Sequence, residues 1–313
     1  MKILVLGAGG QLGRQLCAEL ADLGEVTAAT REGRPVDGAP DACLATADLA
    51  APDSVLDLLD QMRPDIIANA AAYTAVDAAE SDEAVAWAIN AQAVGDIAAW
   101  AARHGSLVLH YSTDYVFDGN AREPYPEDAP TSPAGAYGRS KLEGEVLLAS
   151  SGAHYLLFRT AWVYAPWGKN FLLTMLRLAG ERDELRVVAD QIGAPTSVAL
   201  IAQATRVAIA AWLAALPRER QVLEGTYHVV ASGQTSWHGF AQAIVDAAAS
   251  AGQLARHPVV MPITTLDFPT PARRPAYSVL DNRKFQHAFG FPLPDWTEGL
   301  TQVMNELCET KHI

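Results

Sequence analysis

Cysteine is scarce in this chain: Cys17, Cys43 and Cys308 are the three present in 313 residues. They are widely spaced, odd in number and form no C-x-x-C pair, which argues against a disulfide framework and a cysteine-based zinc site. Basic residues are outnumbered, 23 Lys and Arg against 36 Asp and Glu, giving a formal charge of −13. That balance excludes a broad duplex-binding surface and leaves room for a local basic pocket around a small phosphate ligand. No apolar run approaches the ~18–20 residues that a membrane span needs. The short apolar stretch at 3–6 runs directly into glycines and reads as a strand, not a leader. There is no internal repeat and no low-complexity tract. What is present is ordinary globular composition, 50% hydrophobic and 19% charged with mean hydropathy +0.06. The expectation is a cytoplasmic protein of about two domains, at roughly 150 residues each, working on a small molecule without nucleic acid or membrane partners.

The first 160 residues alternate short apolar runs with helical patterns. The runs lie at 3–6, 25–28, 65–69, 107–111 and 155–159. Between them, 12–23, 53–61, 76–103 and 137–149 have the length and periodicity of helices. Such alternation predicts right-handed crossovers and an α/β fold with a Rossmann-type, doubly wound parallel sheet. The runs are continuously apolar, as strands covered on both faces require. The second half is less regular, with helical patterns at 170–180, 197–216 and 237–250 and a strand candidate at 226–230. The proline-rich stretches 262–275 and 292–294 read as loops, as does 118–133 just before the Tyr137 helix.

The turn Gly7-Ala8-Gly9-Gly10-Gln11-Leu12-Gly13 follows the first strand and opens the first helix. Glycine suits a tight turn that a pyrophosphate approaches closely, and the free amides of a helix start favour an anion. The spacing is Gly7-x-x-Gly10-x-x-Gly13, because Leu12 occupies the place where the strict G-x-G-x-x-G pattern has its last glycine. At the end of the second strand an acid would read the ribose of NAD, whereas an arginine suits the 2′-phosphate of NADP. Here Arg31 stands there and no carboxylate precedes Glu32, so NADPH is expected, with NADH possible as a second choice.

Tyr137 and Lys141 are four residues apart at a helix start and share one face. A free tyrosine titrates near ~10. A neighbouring ammonium is expected to lower that value and let Tyr137 exchange a proton with a substrate oxygen. Ser112 and Thr113 follow the 107–111 run, at the rim where ligands of open α/β sheets bind. Thr113 is placed to bond a ketone oxygen or the tyrosine hydroxyl; the plainer reading is a turn cap. Asn69-Ala70-Ala71-Ala72 ends another strand at the same rim, its small side chains leaving room for a ribose.

Together these strings resemble the extended short-chain dehydrogenase/reductases, and within them the dTDP-4-dehydrorhamnose reductases. The resemblance is carried by G-A-G-G-Q-L-G at 7–13, N-A-A-A-Y-T-A-V-D at 69–77, S-T-D-Y-V-F at 112–117 and Y-G-R-S-K at 137–141. It continues in R-T-A-W-V-Y at 159–164, D-Q-I-G-A-P-T at 190–196 and R-P-A-Y-S-V-L-D at 274–281, so it spans nearly the whole chain. It implies an NADPH-dependent reduction of the C4 ketone of dTDP-4-dehydro-L-rhamnose to dTDP-L-rhamnose. By the same resemblance Gly10, Gln11 and Leu12 line the pyrophosphate, and Asp48 and Leu49 lie by the adenine. Ala70, Ala71, Ala72 and Tyr111 line the cofactor. Tyr137 is the proton donor, and Lys141 holds the nicotinamide ribose and tunes Tyr137. Thr113 and Asp114 contact the sugar, Trp162 closes over the nucleotide-sugar, and Asn90 supports Lys141 through water.

The resemblance also implies a layout: 1–164 for the cofactor, rejoined by about 223–254, and mainly 165–313 for the substrate. Some members carry glutamates that bridge a dimer through a metal. The corresponding positions here are Gln15 and Ala199, so no metal site and a monomer or a dimer without metal bridging are expected. Two rivals stay open: another nucleotide-sugar epimerase or reductase, and a non-catalytic regulatory subunit of the same fold. Tyr115, directly after the Thr113–Asp114 pair where dehydratases of this group place an acid, weighs against a dehydratase.

Overall fold

A computed structural model describes residues 1–36 and 43–310. The first half builds β1 (Lys2–Leu6), α1 (Gln11–Glu19), β2 (Glu25–Thr30), β3 (Cys43–Thr46), α2 (Pro52–Met62) and β4 (Ile66–Asn69). It continues with α3 (Glu83–Trp87), a π-helical turn (Ala88–Gln92), α4 (Ala93–His104), β5 (Leu107–Thr113), α5 (Ala136–Ser150) and β6 (His154–Thr160). The second half holds β7 (Val163–Tyr164), α6 (Phe171–Glu181), β8 (Glu184–Val188), β9 (Ile192–Gly193), β10 (Thr196–Ser197), α7 (Val198–Ala214) and α8 (Pro217–Leu223). The chain ends with β11 (Gly225–His228), β12 (Thr235–Ser236), α9 (Trp237–Ser250), β13 (Val259–Ile263), α10 (Arg283–Phe289) and α11 (Trp296–Thr310).

The seven-stranded sheet runs β11-β6-β5-β4-β1-β2-β3, and every pairing in it is parallel. This is the Rossmann-type doubly wound sheet that the alternation predicts. Strand order reverses between β1 and β4, which opens a crevice beyond their carboxyl ends. One face buries Leu16, Ile201 and Trp212 of α1 and α7. The other buries Leu59, Ile97 and Trp100 of α2 and α4. Burial on both faces explains why β1, β4 and β5 read as unbroken apolar runs.

A smaller lobe has its own core, where Leu172, Met175, Phe240, Ile244, Val303 and Met304 pack α6, α9 and α11 together beside β8 and β13. The stretch 223–254 divides between the two cores. β11 extends the large sheet, whereas α9 packs in the smaller lobe. Two other readings are corrected. The helix expected over 76–103 begins at Glu83, preceded by a short turn at Ala78–Glu80. The stretch 262–275 is not all loop, since Pro262 lies in β13, whose only strand partner among the described residues is β8. Proline tolerates such an edge position because no further neighbour needs its missing N–H.

Candidate functional site

A cleft of about 1010 Å³ opens at the carboxyl ends of β1, β4 and β5 and reaches the smaller lobe. Its floor is the glycine turn. Gly7 has φ +74, and a β-carbon there would come within 2.6 Å of the Ala71 backbone nitrogen. The turn after β1 and the stretch after β4 thus touch backbone to backbone, a closeness that only glycine permits. A β-carbon on Gly13 would strike the Gly7 carbonyl, so Gly13 supports the turn from beneath α1 and does not line the cleft.

The other expected cofactor residues meet here. Gly10, Gln11 and Leu12 line the cleft at the start of α1, and Ala70, Ala71, Ala72 and Tyr111 line it beyond β4 and in β5. Arg31, Asp48 and Leu49 lie at the far end, with Arg31 Nε 4.0 Å from Asp48 Oδ1. Arg34, unnoticed in the sequence, lines the same end and pairs with Glu32 at 2.7 Å. Gln11 also bridges the lobes: its Oε1 accepts from Asn170 Nδ2 at 2.7 Å and its carbonyl accepts from Trp167 Nε1 at 3.3 Å.

Tyr137, Lys141, Thr113 and Asp114 converge at the opposite end. The first turn of α5 is capped from a distance, since Glu80 Oε1 accepts from the Ala136 N–H at 2.9 Å. That bond fixes the helix start on which Tyr137 sits. Lys141, one turn on, is 1% exposed, and its Nζ donates to the Tyr111 carbonyl at 2.6 Å. Burial brings this lysine down to about 8, against a smaller opposing pull from Glu145. The tuning of Tyr137 differs from expectation. Burial pushes its phenol well up, Asp114 and Tyr115 add to that, and only a hydrogen bond with Thr113 eases it. Tyr137 is therefore a protonated acid, because desolvation is the largest effect on its phenol.

Thr113 Oγ1 donates to Asp114 Oδ1 at 3.0 Å. Asp114 is buried, and burial raises its carboxyl to about 6 despite nearby Ser278 and Thr113. Asp114 Oδ2, Ser112 Oγ and Thr160 Oγ1 are buried and make no hydrogen bond. Unpartnered polar atoms in the wall of a cleft fit a ligand rich in hydroxyls.

Asn90 is buried. It sits on the π-helical turn at 1% exposure, accepts from the Tyr73 N–H at 2.8 Å and donates to the Tyr73 carbonyl and to Ser140 Oγ, both at 3.0 Å. It thereby clamps the stretch after β4 to α5, and π-turns of this kind often mark functional sites. Trp162 lines the cleft and stacks on Trp237 with ring centroids 3.5 Å apart at 5°. Trp237, Arg274 and Asp77 were given no role in the sequence. Arg274 NH2 bonds Asp77 Oδ2 at 2.9 Å, joining strings 197 residues apart. A tryptophan 75 positions from its partner leaves no local signal. Arg274 opens the R-P-A-Y-S-V-L-D stretch, but its ion-pair partner lies too far away along the chain to leave a local signal. Gln15 and Ala199 fall on α1 and α7, which pack against each other.

Comparison with known proteins extends the likeness to the whole chain. The model of the family described as "RmlD substrate binding domain" matches residues 1–309. A dTDP-4-dehydrorhamnose reductase of Burkholderia thailandensis is 50% identical over 98% of this chain and 99% of its own. One from Escherichia coli K12 is 44% identical over 100% of both. Among solved structures, a dTDP-4-dehydrorhamnose reductase of Clostridium acetobutylicum superposes with TM-score 0.82 at 35% identity, covering 98% of this chain and 99% of that one. One from Bacillus anthracis in complex with NADP gives 0.82 at 33% identity over 97% and 99%. Matched from its glycine turn to its last helix, the chain belongs to the RmlD substrate binding domain family, within the extended short-chain dehydrogenase/reductase-like proteins.

Proposed function

We propose that this protein is an NADPH-dependent dTDP-4-dehydrorhamnose reductase, reducing the C4 ketone of dTDP-4-dehydro-L-rhamnose to give dTDP-L-rhamnose. The observation that carries the reading is the convergence of Tyr137, Thr113 and Lys141 at one end of the cleft that the glycine turn floors. The cofactor fits this chain: the turn has no β-carbon where the backbones meet, and Arg31 and Arg34 stand at the far end. When bound, NADPH supplies the hydride that C4 receives.

The residues of the chain do the rest. Thr113 and Tyr137 hold the ketone oxygen through their hydroxyls. Tyr137, kept protonated by burial, gives its proton to the alkoxide that develops there. Lys141 holds the nicotinamide ribose and, as an ammonium, steadies the phenolate that remains. The unpaired Oδ2 of Asp114 accepts from a sugar hydroxyl, and Trp162, braced by Trp237, closes over the nucleotide-sugar. The larger lobe serves the cofactor and the smaller lobe the sugar nucleotide. We assign no bridging metal, since Gln15 and Ala199 bring no carboxylate to α1 or α7.

The deciding experiment is NADPH oxidation followed by absorbance, with enzymatically generated dTDP-4-dehydro-L-rhamnose and a panel of other 4-keto nucleotide sugars. Turnover of this substrate above the panel is expected. Turnover of none would leave a non-catalytic role, and preference for another sugar would reassign the substrate.

A further inference from the structure

His110 is unused by the reading above, yet it touches its centre. It lies in β5 with 0% exposure. Its Nε2 is 3.2 Å from Lys141 Nζ, and its Nδ1 is 3.3 Å from the amide nitrogen of Asn69. Asn69 Oδ1 accepts from the Ala71 N–H at 3.2 Å. A chain of contacts thus runs from the cofactor-facing stretch to the lysine.

Among these groups alone, with nothing added from the cleft, donors and acceptors match in only one way. A neutral imidazole has one N–H and one lone pair, and an ammonium has donors only. Burial, the larger cause, holds His110 well below the ordinary histidine value, so its ring is neutral whichever form Lys141 takes. Suppose Lys141 is an ammonium. Nε2 must then accept, and Nδ1 carries the proton, which faces the Asn69 amide nitrogen. Turning the amide over satisfies Nδ1–H but sets the NH2 against the Ala71 N–H. The first arrangement sets two buried donors face to face, and the second sets the amide NH2 against an N–H at the cleft wall, which only a further acceptor from the cleft would relieve. Suppose instead that Lys141 is an amine. Nε2–H donates to its lone pair, Nδ1 accepts from Asn69, Asn69 accepts from Ala71, and Nζ donates to the Tyr111 carbonyl. Every group is then matched.

We infer that His110 is a positioning residue that holds Lys141 as a neutral amine in the ligand-free protein, and that loading the nucleotide cofactor turns Lys141 into an ammonium with uptake of one proton from water. The inference rests on the cofactor reading given above. The ribose hydroxyls that Lys141 would hold accept from its N–H donors, which favours the ammonium. Of the groups around Lys141, Glu145 on the same helix also favours it, but its carboxylate is engaged by Arg159 of β6 at 2.7 Å. Tyr137 is protonated, Asp114 lies beyond it at the end of β5, and Asn90 on the π-turn is uncharged. On loading, the His110 proton shifts to Nδ1 and the Asn69 amide turns, freeing the Ala71 N–H for another acceptor. Lys141 and the stretch after β4 therefore change together.

Two measurements test this. Histidine-¹⁵N-labelled protein reports the tautomer by long-range ¹H–¹⁵N correlation, with His110 identified by its loss in His110→Phe or by its shift in Asn69→Ala. The Nε2–H form is expected in the free protein and the Nδ1–H form with saturating NADP⁺. Calorimetric titration of NADP⁺ near neutral pH, in buffers of different ionisation enthalpy, counts protons. In the wild type, uptake approaching one proton is expected, because His110 holds the amine form that burial also favours. It is expected to fall below half of that in His110→Phe, a change that a merely structural role would not produce. The Nδ1–H tautomer in the free protein, or uptake equal in wild type and His110→Phe, overturns the inference. Failure of NADP⁺ to bind would overturn the functional reading instead, and the free-protein tautomer would still decide this one. Should His110→Phe not fold, the wild-type tautomer and proton count decide it.

Discussion

Gly193 lies hard against the indole of Trp162: a β-carbon there would come within 2.6 Å of Nε1 and 2.7 Å of Cζ2. Trp237 stacks on the same indole. Trp162 has φ 48, a left-handed backbone that a bulky residue adopts only when its surroundings compel it. The D-Q-I-G-A-P-T string thus has a physical purpose, since its glycine leaves the space in which the cleft tryptophan is braced.

Gly193→Ala should push that indole out of place. Overpacking of this kind costs about 1–3 kcal/mol, so a lower melting temperature is expected. The KM for the nucleotide-sugar should rise several-fold with little change in kcat. Steady-state kinetics beside thermal melts check this, and an unchanged KM would free Trp162 from dependence on Gly193.

Tyr137→Phe keeps the ring and its edge contact with Tyr115, whose centroid is 5.6 Å away. Packing should survive while proton donation is lost, and kcat should fall by roughly 10²–10⁴-fold. Retention of more than half the wild-type kcat in folded protein would remove Tyr137 from the chemical step.

Arg31→Ala should raise the KM for NADPH more than that for NADH. Arg31 is 75% exposed and only loosely paired with Asp48. Screening then limits its contribution to about 1 kcal/mol, roughly fivefold in KM. Arg34, at the same end of the cleft, is the natural second substitution, and Arg31→Ala with Arg34→Ala should widen the difference. Equal effects on both cofactors would mean that neither arginine reads the 2′-phosphate.

Asp114 makes a prediction about pH. Burial lifts its carboxyl from 3.8 to about 6. Below the ordinary value both folded and unfolded chains hold the proton and nothing is lost. As pH rises through that window the fold resists ionisation, and the loss is complete above about 6. At about 1.4 kcal/mol per pH unit this is up to roughly 3 kcal/mol. Asp114→Asn should therefore be more stable than wild type near neutral pH, the gain vanishing as pH falls below the ordinary carboxyl range. It should also bind substrate more weakly, because an acceptor for a sugar hydroxyl is lost. Urea denaturation at several pH values tests the first expectation. A variant less stable than wild type at neutral pH would contradict it.

The parallel sheet was legible because its evidence is local. Each buried strand is a short apolar run, each covering helix an amphipathic stretch, and the glycine turn and Tyr137–Lys141 pair occupy a few adjacent residues. The small edge strands β8 and β13 were not read: each is five residues long with at most two buried positions, and one carries Pro262. The phenol of Tyr137 is shifted upward where a downward shift is expected from the sequence, for a related reason. Sequence shows that a lysine is near, but not how much water burial removes from the phenol, and burial is the larger effect.

By itself the sequence determined the alternation that makes the doubly wound sheet, the glycine floor of the cleft and the chemical types at its reacting end. Periodicity and short spacing carry that information without knowledge of distant partners. Only the tertiary structure decided which residues finish the site: Glu80 capping the Tyr137 helix, Asn90 clamping it, Gly193 and Trp237 bracing Trp162, and His110 facing Lys141. Donor matching, desolvation and stacking act over a few ångströms between residues that lie tens of positions apart in the chain. Those distances exist only once the sheet has brought its carboxyl ends together.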